Sequence, residues 1–350
     1  TYVSSMPIRN IMADLRAGKY KPVYFLQGEE PFYIDRISDY IAEHALSPDE
    51  QSFNQSVLYG LDTDVSTIIS EAKRFPMMAE RQVVIIKEAQ RVKNLVPSGE
   101  DAKSELLAYL ENPQPSTVLV FCHKYKKIDA RKKIGKAIKA AVEKNGVFYT
   151  SEKVKEWTLS TWISDHVQTL GYHIDPRTST ILAEYLGNDL SKIDNELGKL
   201  FIDLEPGGHI TLDLIEKNIG ISKDFNVFEL QNALLKLDVE KANRIIIHFS
   251  KNLKDHPIQM LVATLYSFFF KIILLQYLQK RGRANEAAKV LRVNPYFLKD
   301  YQLGARNYSD KKLRSIIRYL RDADLKSKGV GNVSTDPGDL MKELIFKIMH

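Results

Sequence analysis

Apolar and polar positions alternate between two periods over the first 150 residues and then settle on one. Residues 5–19 carry Ile8, Ile11, Met12 and Leu15 at helical spacing and end near Gly18, which predicts an opening helix. Residues 22–26 form a short apolar run, and Gly28 turns the chain into a helical pattern over 31–45. The same rhythm predicts a strand around 52–59, a helix over 65–73 and a strand at Val83-Val84-Ile85-Ile86. A helix over 101–110, a strand over 117–121, a helix over 130–144 and a strand over 147–149 follow. Strands and helices in strict alternation imply a mainly parallel sheet covered by helices.

A polar linker at 150–155 ends this regime. Helical periodicity over 157–170, 175–186, 189–204 and 212–219 predicts a small bundle, with a turn at Pro206-Gly207-Gly208. Gly187-Asn188-Asp189-Leu190 reads as a helix stop and restart, with Asn188 or Asp189 able to cap. A second linker at 222–226 leads into an all-helical region. Its most apolar stretch, 258–278, is long enough for a membrane span, but Lys271 falls inside it together with Gln259, Thr264, Ser267 and Gln276. A lysine near a bilayer centre costs about 3 kcal/mol, so the stretch is read as the buried central helix of a bundle. Asn294-Pro295-Tyr296 marks a turn, 311–325 a basic amphipathic helix and 340–349 a closing helix. The expected fold class is α/β plus all-α in three parts, 1–150, 151–221 and 222–350.

Composition narrows the setting. A chain of 350 residues, 44% hydrophobic and 27% charged, is expected to be a soluble protein with two or three cores. The single Cys122 excludes an internal disulfide, and no apolar N-terminal stretch resembles a secretory signal, which points to the cytoplasm. Cys122-His123 has no further Cys or nearby His to complete a zinc site, so no metal is expected. The net charge of +6 conceals a basic segment, 123–144, with nine Lys or Arg against Asp129 and Glu143. Lys127, Arg131, Lys132 and Lys133 are its candidate contacts to phosphate or to a partner. Ile134, Ile138, Ala141 and Val142 recur at helical spacing in the same segment, so it reads first as an amphipathic helix with its lysines in water.

Two places invite a nucleotide reading and lack its residues. After the first strand, a phosphate-binding loop needs a second Gly, a Lys and a Ser or Thr. Tyr33, Ile34 and Asp35 stand there, and a ring, a branched chain and a carboxylate cannot cradle phosphates. At the end of the strand 83–86, a nucleotide hydrolase places acidic residues for magnesium and the attacking water; this chain has Lys87-Glu88. Just before that strand lies a different candidate, Phe75-Pro76-Met77-Met78. Pro76 discourages a helix from running through, and the three apolar side chains either pack down as core or stand out for a partner.

Several separated segments together resemble one family, the delta subunit of the bacterial DNA polymerase III clamp loader. Tyr24-Phe25-Leu26-Gln27-Gly28-Glu29-Glu30 is similar to its altered phosphate-loop region, and Met77-Met78-Ala79-Glu80-Arg81-Gln82 to its clamp-binding segment. Lys127-Ile128-Asp129-Ala130-Arg131-Lys132-Lys133, Gly187-Asn188-Asp189-Leu190, Glu196-Leu197-Gly198-Lys199-Leu200, Asn294-Pro295-Tyr296 and Ala323-Asp324-Leu325-Lys326 match further stretches in order. The resemblance implies an AAA+ type domain over 1–150 with a degenerate nucleotide site, a helical lid over 151–221 and a helical collar over 222–350 that assembles a ring-like pentamer. It implies a subunit without catalysis or cofactor of its own inside a nucleotidyltransferase holoenzyme that replicates DNA. Its implied partners are the sliding clamp, the tau or gamma subunits that hydrolyse ATP, the delta prime subunit, and primed DNA in the assembled loader, with no membrane and no small-molecule substrate. Phe75, Met77 and Met78 are the implied clamp contact. The family often has Leu-Phe where this chain has Met77-Met78, and Phe75 is the available aromatic anchor. Two readings from other classes, a P-loop ATPase motor and a stand-alone nucleic-acid-binding protein, are separated from it by nucleotide titration and by salt-dependent DNA binding of the chain alone.

Overall fold

The computed structural model describes residues 5–97, 104–331 and 334–350, side chains of 5–7 excepted, and divides into two compact units, 1–154 and 155–350. In the first unit the order is α1 (Ser5–Arg16), β1 (Val23–Gly28), α2 (Pro31–His44), α3 (Pro48–Asn54), β2 (Gln55–Tyr59), α4 (Val65–Ala72) and β3 (Gln82–Lys87). Then come α5 (Glu105–Glu111), β4 (Thr117–Lys124), α6 (Lys133–Asn145) and β5 (Val147–Ser151). The five strands form one sheet in the order β2-β3-β4-β1-β5. Every neighbouring pair is parallel, with Val23 opposite Leu119, Tyr24 opposite Val147, Gln55 opposite Val83 and Gln82 opposite Thr117.

Residue alternation builds a core on each face of this sheet. Val23, Phe25, Val84, Ile86, Leu119 and Phe121 point to one side, where α4, α5 and α6 bury Ile68, Leu110 and Ile138. Tyr24, Leu26, Val83, Ile85, Val120 and Cys122 point to the other, against α1 and α2 with Leu15, Ile34, Ile37 and Ile41. Each such buried Ile or Leu contributes about 1.5–3 kcal/mol. Parallel strands covered on both faces read as continuous apolar runs, and this is the helix-covered parallel sheet that the strand–helix alternation predicted.

Three details depart from the sequence reading. Residues 52–54, expected in a strand, end the helix α3, which a reciprocal cap between Ser47 and Glu50 starts with Pro48 in its first turn. The basic helix α6 starts at Lys133 rather than at residue 130, because the Asp129 side chain takes the Arg131 N–H and its carbonyl the Lys132 N–H, closing a turn first. The expected helix over 101–110 is found as α5 from Glu105, with 101–103 outside the described residues.

The second unit runs α7 (Leu159–Thr169), β6 (His173–Ile174), α8 (Pro176–Leu186), α9 (Leu190–Ile202), β7 (His209–Ile210), α10 (Leu212–Ile219) and α11 (Val227–Lys236). It continues through α12 (Val239–Lys251), α13 (Ile258–Lys280), α14 (Ala287–Leu291), α15 (Leu298–Asn307), α16 (Asp310–Ser327) and α17 (Pro337–Met349). The small parallel pair β6–β7 was not expected from periodicity. Asp189 rather than Asn188 caps α9, accepting the Lys192 N–H. The apolar helix α13 sends Leu261, Leu265, Phe269 and Ile272 into a core shared with α11, α12, α16 and α17, the place of a central bundle helix.

Candidate functional site

The place where a nucleotide would sit is the C-terminal edge of the sheet, where α/β proteins usually bind ligands. Gly28 takes φ 129°, and a Cβ there would lie 2.0 Å from the Ser151 carbonyl oxygen, so β1 packs on β5 too closely for any side chain. The helix that follows does not offer its N–H groups to a phosphate. Glu30, buried, accepts the Phe32 N–H at 3.1 Å, placing a carboxylate where an anion would bind. The far ends of β3 and β4 carry cations, and both are taken up by α2. Lys87 Nζ donates to Asp39 Oδ1 and Ser38 Oγ, each at 2.8 Å, and Lys124 Nζ lies 2.6 Å from Asp35 Oδ1. Burial works against the Lys87 ammonium, but the Asp39 hydrogen bond and neighbouring carboxylates outweigh it and hold its pKa above the usual lysine value. An acid at the phosphate position and a lysine at the magnesium position at the end of β3 do not fit a magnesium–nucleoside triphosphate complex.

The segment Phe75-Pro76-Met77-Met78 enters β3 and so lies at the opposite edge. Six residues of β3 at roughly 3.3 Å each separate the two edges by about 20 Å. The sequence left open whether these side chains pack inward. They do not: Phe75 is 77% exposed, Met77 57% and Met78 102%. Met78 holds φ 55°, a left-handed conformation that costs a non-glycine residue about 1–2 kcal/mol.

Two buried amides hold the backbone of this loop. Gln82 Nε2 donates to the Arg74 carbonyl at 2.6 Å and to Thr117 Oγ1 at 2.9 Å, while Thr117 Oγ1 donates to the Ala72 carbonyl at 2.7 Å. Asn54, at the end of α3, receives the Met77 N–H on Oδ1 at 2.6 Å and donates from Nδ2 to the Met77 carbonyl at 3.0 Å. Neither amide stood out in the sequence. Gln82 sits beside an apolar run, the position of a buried strand residue; Asn54 lies in a stretch whose helix was missed.

The basic candidates sit by the other edge, since the Gly28 N–H donates to the Lys126 carbonyl and Tyr125 N–H to the Gly28 carbonyl. Lys127 Nζ pairs with Glu152 at 2.7 Å and Arg131 with Asp129 at 3.0 Å. Lys132 and Lys133 are exposed at the start of α6 without an ion pair among the described residues. The four, neighbours in sequence, thus divide into two neutralised and two open.

In the second unit a cleft of about 480 Å³ is lined by Trp157, Glu184, Lys271, Arg292 and Tyr301 among others. Glu184 reaches solvent at its mouth, yet the walls desolvate it and push its pKa up to about 7, the charge of Lys271 opposing the shift. Beside it, Glu229 is buried between Arg177 of α8 and Lys241 of α12, bonded to both.

Comparison with known proteins bears on the whole chain. A family model described as the DNA polymerase III delta subunit matches residues 24–145, and one for the C-terminal domain of the same subunit matches residues 224–338. Together they span well over half of the sequence. DNA polymerase III subunit delta of Bacillus subtilis is 27% identical over 328 residues, 91% of each chain. A probable DNA polymerase III subunit delta of Aquifex aeolicus is 24% identical over 315 residues, covering 87% of this chain and 86% of that one. Among solved structures, the Bacillus subtilis clamp loader delta protein superposes with a TM-score of 0.53 at 23% identity, covering 98% of this chain and 99% of that one, a likeness of fold.

Proposed function

The chain belongs to the delta-subunit family of bacterial DNA polymerase III, and with it to the clamp loaders of DNA replication; on that premise we propose that it binds the sliding clamp through Phe75, Met77 and Met78 and helps hold the ring open. The observation that carries this reading is the exposure of those three side chains on a backbone pinned by buried amides. Exposed apolar groups cost solubility and favour a partner that buries them. Methionine, unbranched and polarisable, fits a pocket that tolerates variation. Full burial of three such residues contributes about 5–9 kcal/mol gross, of which association costs remove much.

Ring opening then follows from differential affinity. A tip that fits the open clamp better than the closed one shifts the equilibrium by that difference and by nothing else. The chain does no chemistry: tau or gamma subunits hydrolyse ATP, and delta prime completes the assembly. In this reading 1–150 is the clamp-binding domain, 151–221 the lid and 222–350 the collar that meets the other subunits in the cytoplasm. Lys132 and Lys133 approach primed DNA only in the assembled loader. The test is titration of the full-length chain with its cognate clamp. Met77→Ala plus Met78→Ala is expected to weaken binding at least tenfold, and unchanged affinity would refute the assigned contact.

A further inference from the structure

Asn54 spends its whole side chain on the loop and its own helix. It is 4% exposed; Oδ1 accepts the Met77 N–H, and Nδ2 donates to the Met77 carbonyl and to the Glu50 carbonyl at 3.1 Å. A residue 23 positions away in sequence thereby grips both polar groups of Met77, as a paired strand would. Met78 comes next, in the left-handed region and wholly in solvent. A side chain with no packing of its own has no means of keeping that backbone conformation, so the conformation is imposed from outside. The Gln82 amide fixes the loop only at Arg74, on the near side of Phe75. Without Asn54, no other side-chain amide among the described residues holds the backbone between Arg74 and β3.

We propose that Asn54 is a positioning residue for clamp binding: its amide selects the loop conformation in which Phe75, Met77 and Met78 enter the apolar pocket of the clamp. This rests on the contact proposed above and adds how that contact is made ready in the free chain. A loop that visits its binding conformation a tenth of the time binds about tenfold more weakly, with every contact atom still present. Pre-organisation of this kind reduces the ordering cost of association.

The experiment is a double-mutant cycle on clamp affinity with the full-length chain. Asn54→Ala alone is expected to weaken binding about tenfold and to speed amide exchange of the Met77 N–H, while exchange in β1 and β4 stays as in the parent. In a chain already carrying Met77→Ala and Met78→Ala, the same substitution is expected to cost clearly less than in the parent, because only Phe75 of the tip is left to aim. Equal losses in both backgrounds, or no loss in the parent, would overturn the assignment while leaving the contact intact. No effect of the methionine pair would overturn the contact and the assignment together. Should Asn54→Ala fail to fold, Asn54→Asp carries the same cycle. It keeps the acceptor for the Met77 N–H and loses the donor to the Met77 and Glu50 carbonyls, with at least a severalfold loss expected that shrinks in the same background.

Discussion

Met78→Gly separates stability from partner binding at a single position. Met78 is 102% exposed, so its truncation removes no internal packing, and its φ of 55° is one that glycine adopts freely. Relief of left-handed strain returns about 1–2 kcal/mol. The added freedom of glycine in the unfolded chain takes back about 0.5–1 kcal/mol. The folded state is therefore expected to gain roughly 0–1.5 kcal/mol in urea unfolding at constant m-value. Clamp affinity moves the other way. A methionine buried from full exposure is worth about 1.5–3 kcal/mol gross; if half survives the cost of ordering, the loss is about 0.75–1.5 kcal/mol, roughly four- to thirteenfold in Kd. Calorimetric titration beside urea melts of the same preparations reads both quantities. A variant destabilised by more than about 1 kcal/mol would mean that Met78 supports the fold. One that binds the clamp as the parent does would mean that Met78 is not part of the contact.

Two other sites give predictions independent of the clamp. Glu229→Ala leaves Arg177 and Lys241 without their shared carboxylate; since both cations reach solvent, the expected loss is about 2 kcal/mol in urea melts rather than the larger cost of a sealed pair, and an unchanged midpoint would contradict the role given to this triad. Glu184 has a folded pKa of about 7 against an ordinary 4.5, so the native state keeps a proton that the unfolded chain has lost, and the group subtracts stability as pH rises through that window. Glu184→Gln is expected to melt close to the parent at pH 4 and above it at pH 8. A constant difference across that range would show that desolvation in the cleft is not the cause.

Most of the architecture was legible because it rests on periodicity. β3 and β4 are buried on both faces and read as unbroken apolar runs, and α8, α9 and α10 carry cap residues at their starts, Asp175, Asp189 and Thr211. What escaped notice was held by side-chain hydrogen bonds, which have no period. The Ser47–Glu50 capping box and Pro48 announced α3, but the apolar content of 52–59 favoured a strand, and that error hid Asn54 at the helix end. The lack of phosphate-loop and magnesium residues at the nucleotide position was readable from Tyr33, Ile34, Asp35 and Lys87. The ion pairs that fill the space, Lys87–Asp39 and Lys124–Asp35, join residues 48 and 89 apart and needed the sheet order to be seen. Exposure of Phe75, Met77 and Met78 was likewise a matter of tertiary structure, since the same three residues serve equally well as core.

The central claim is that this chain takes hold of the clamp by an apolar tip already presented in the free molecule, with no nucleotide of its own. Titration of the isolated full-length chain with its cognate clamp, without nucleotide and again with magnesium and ATP, tests it most directly. The account predicts a complex in both conditions with the same Kd within error. A complex that forms only when ATP is present, or none in either condition, would contradict it.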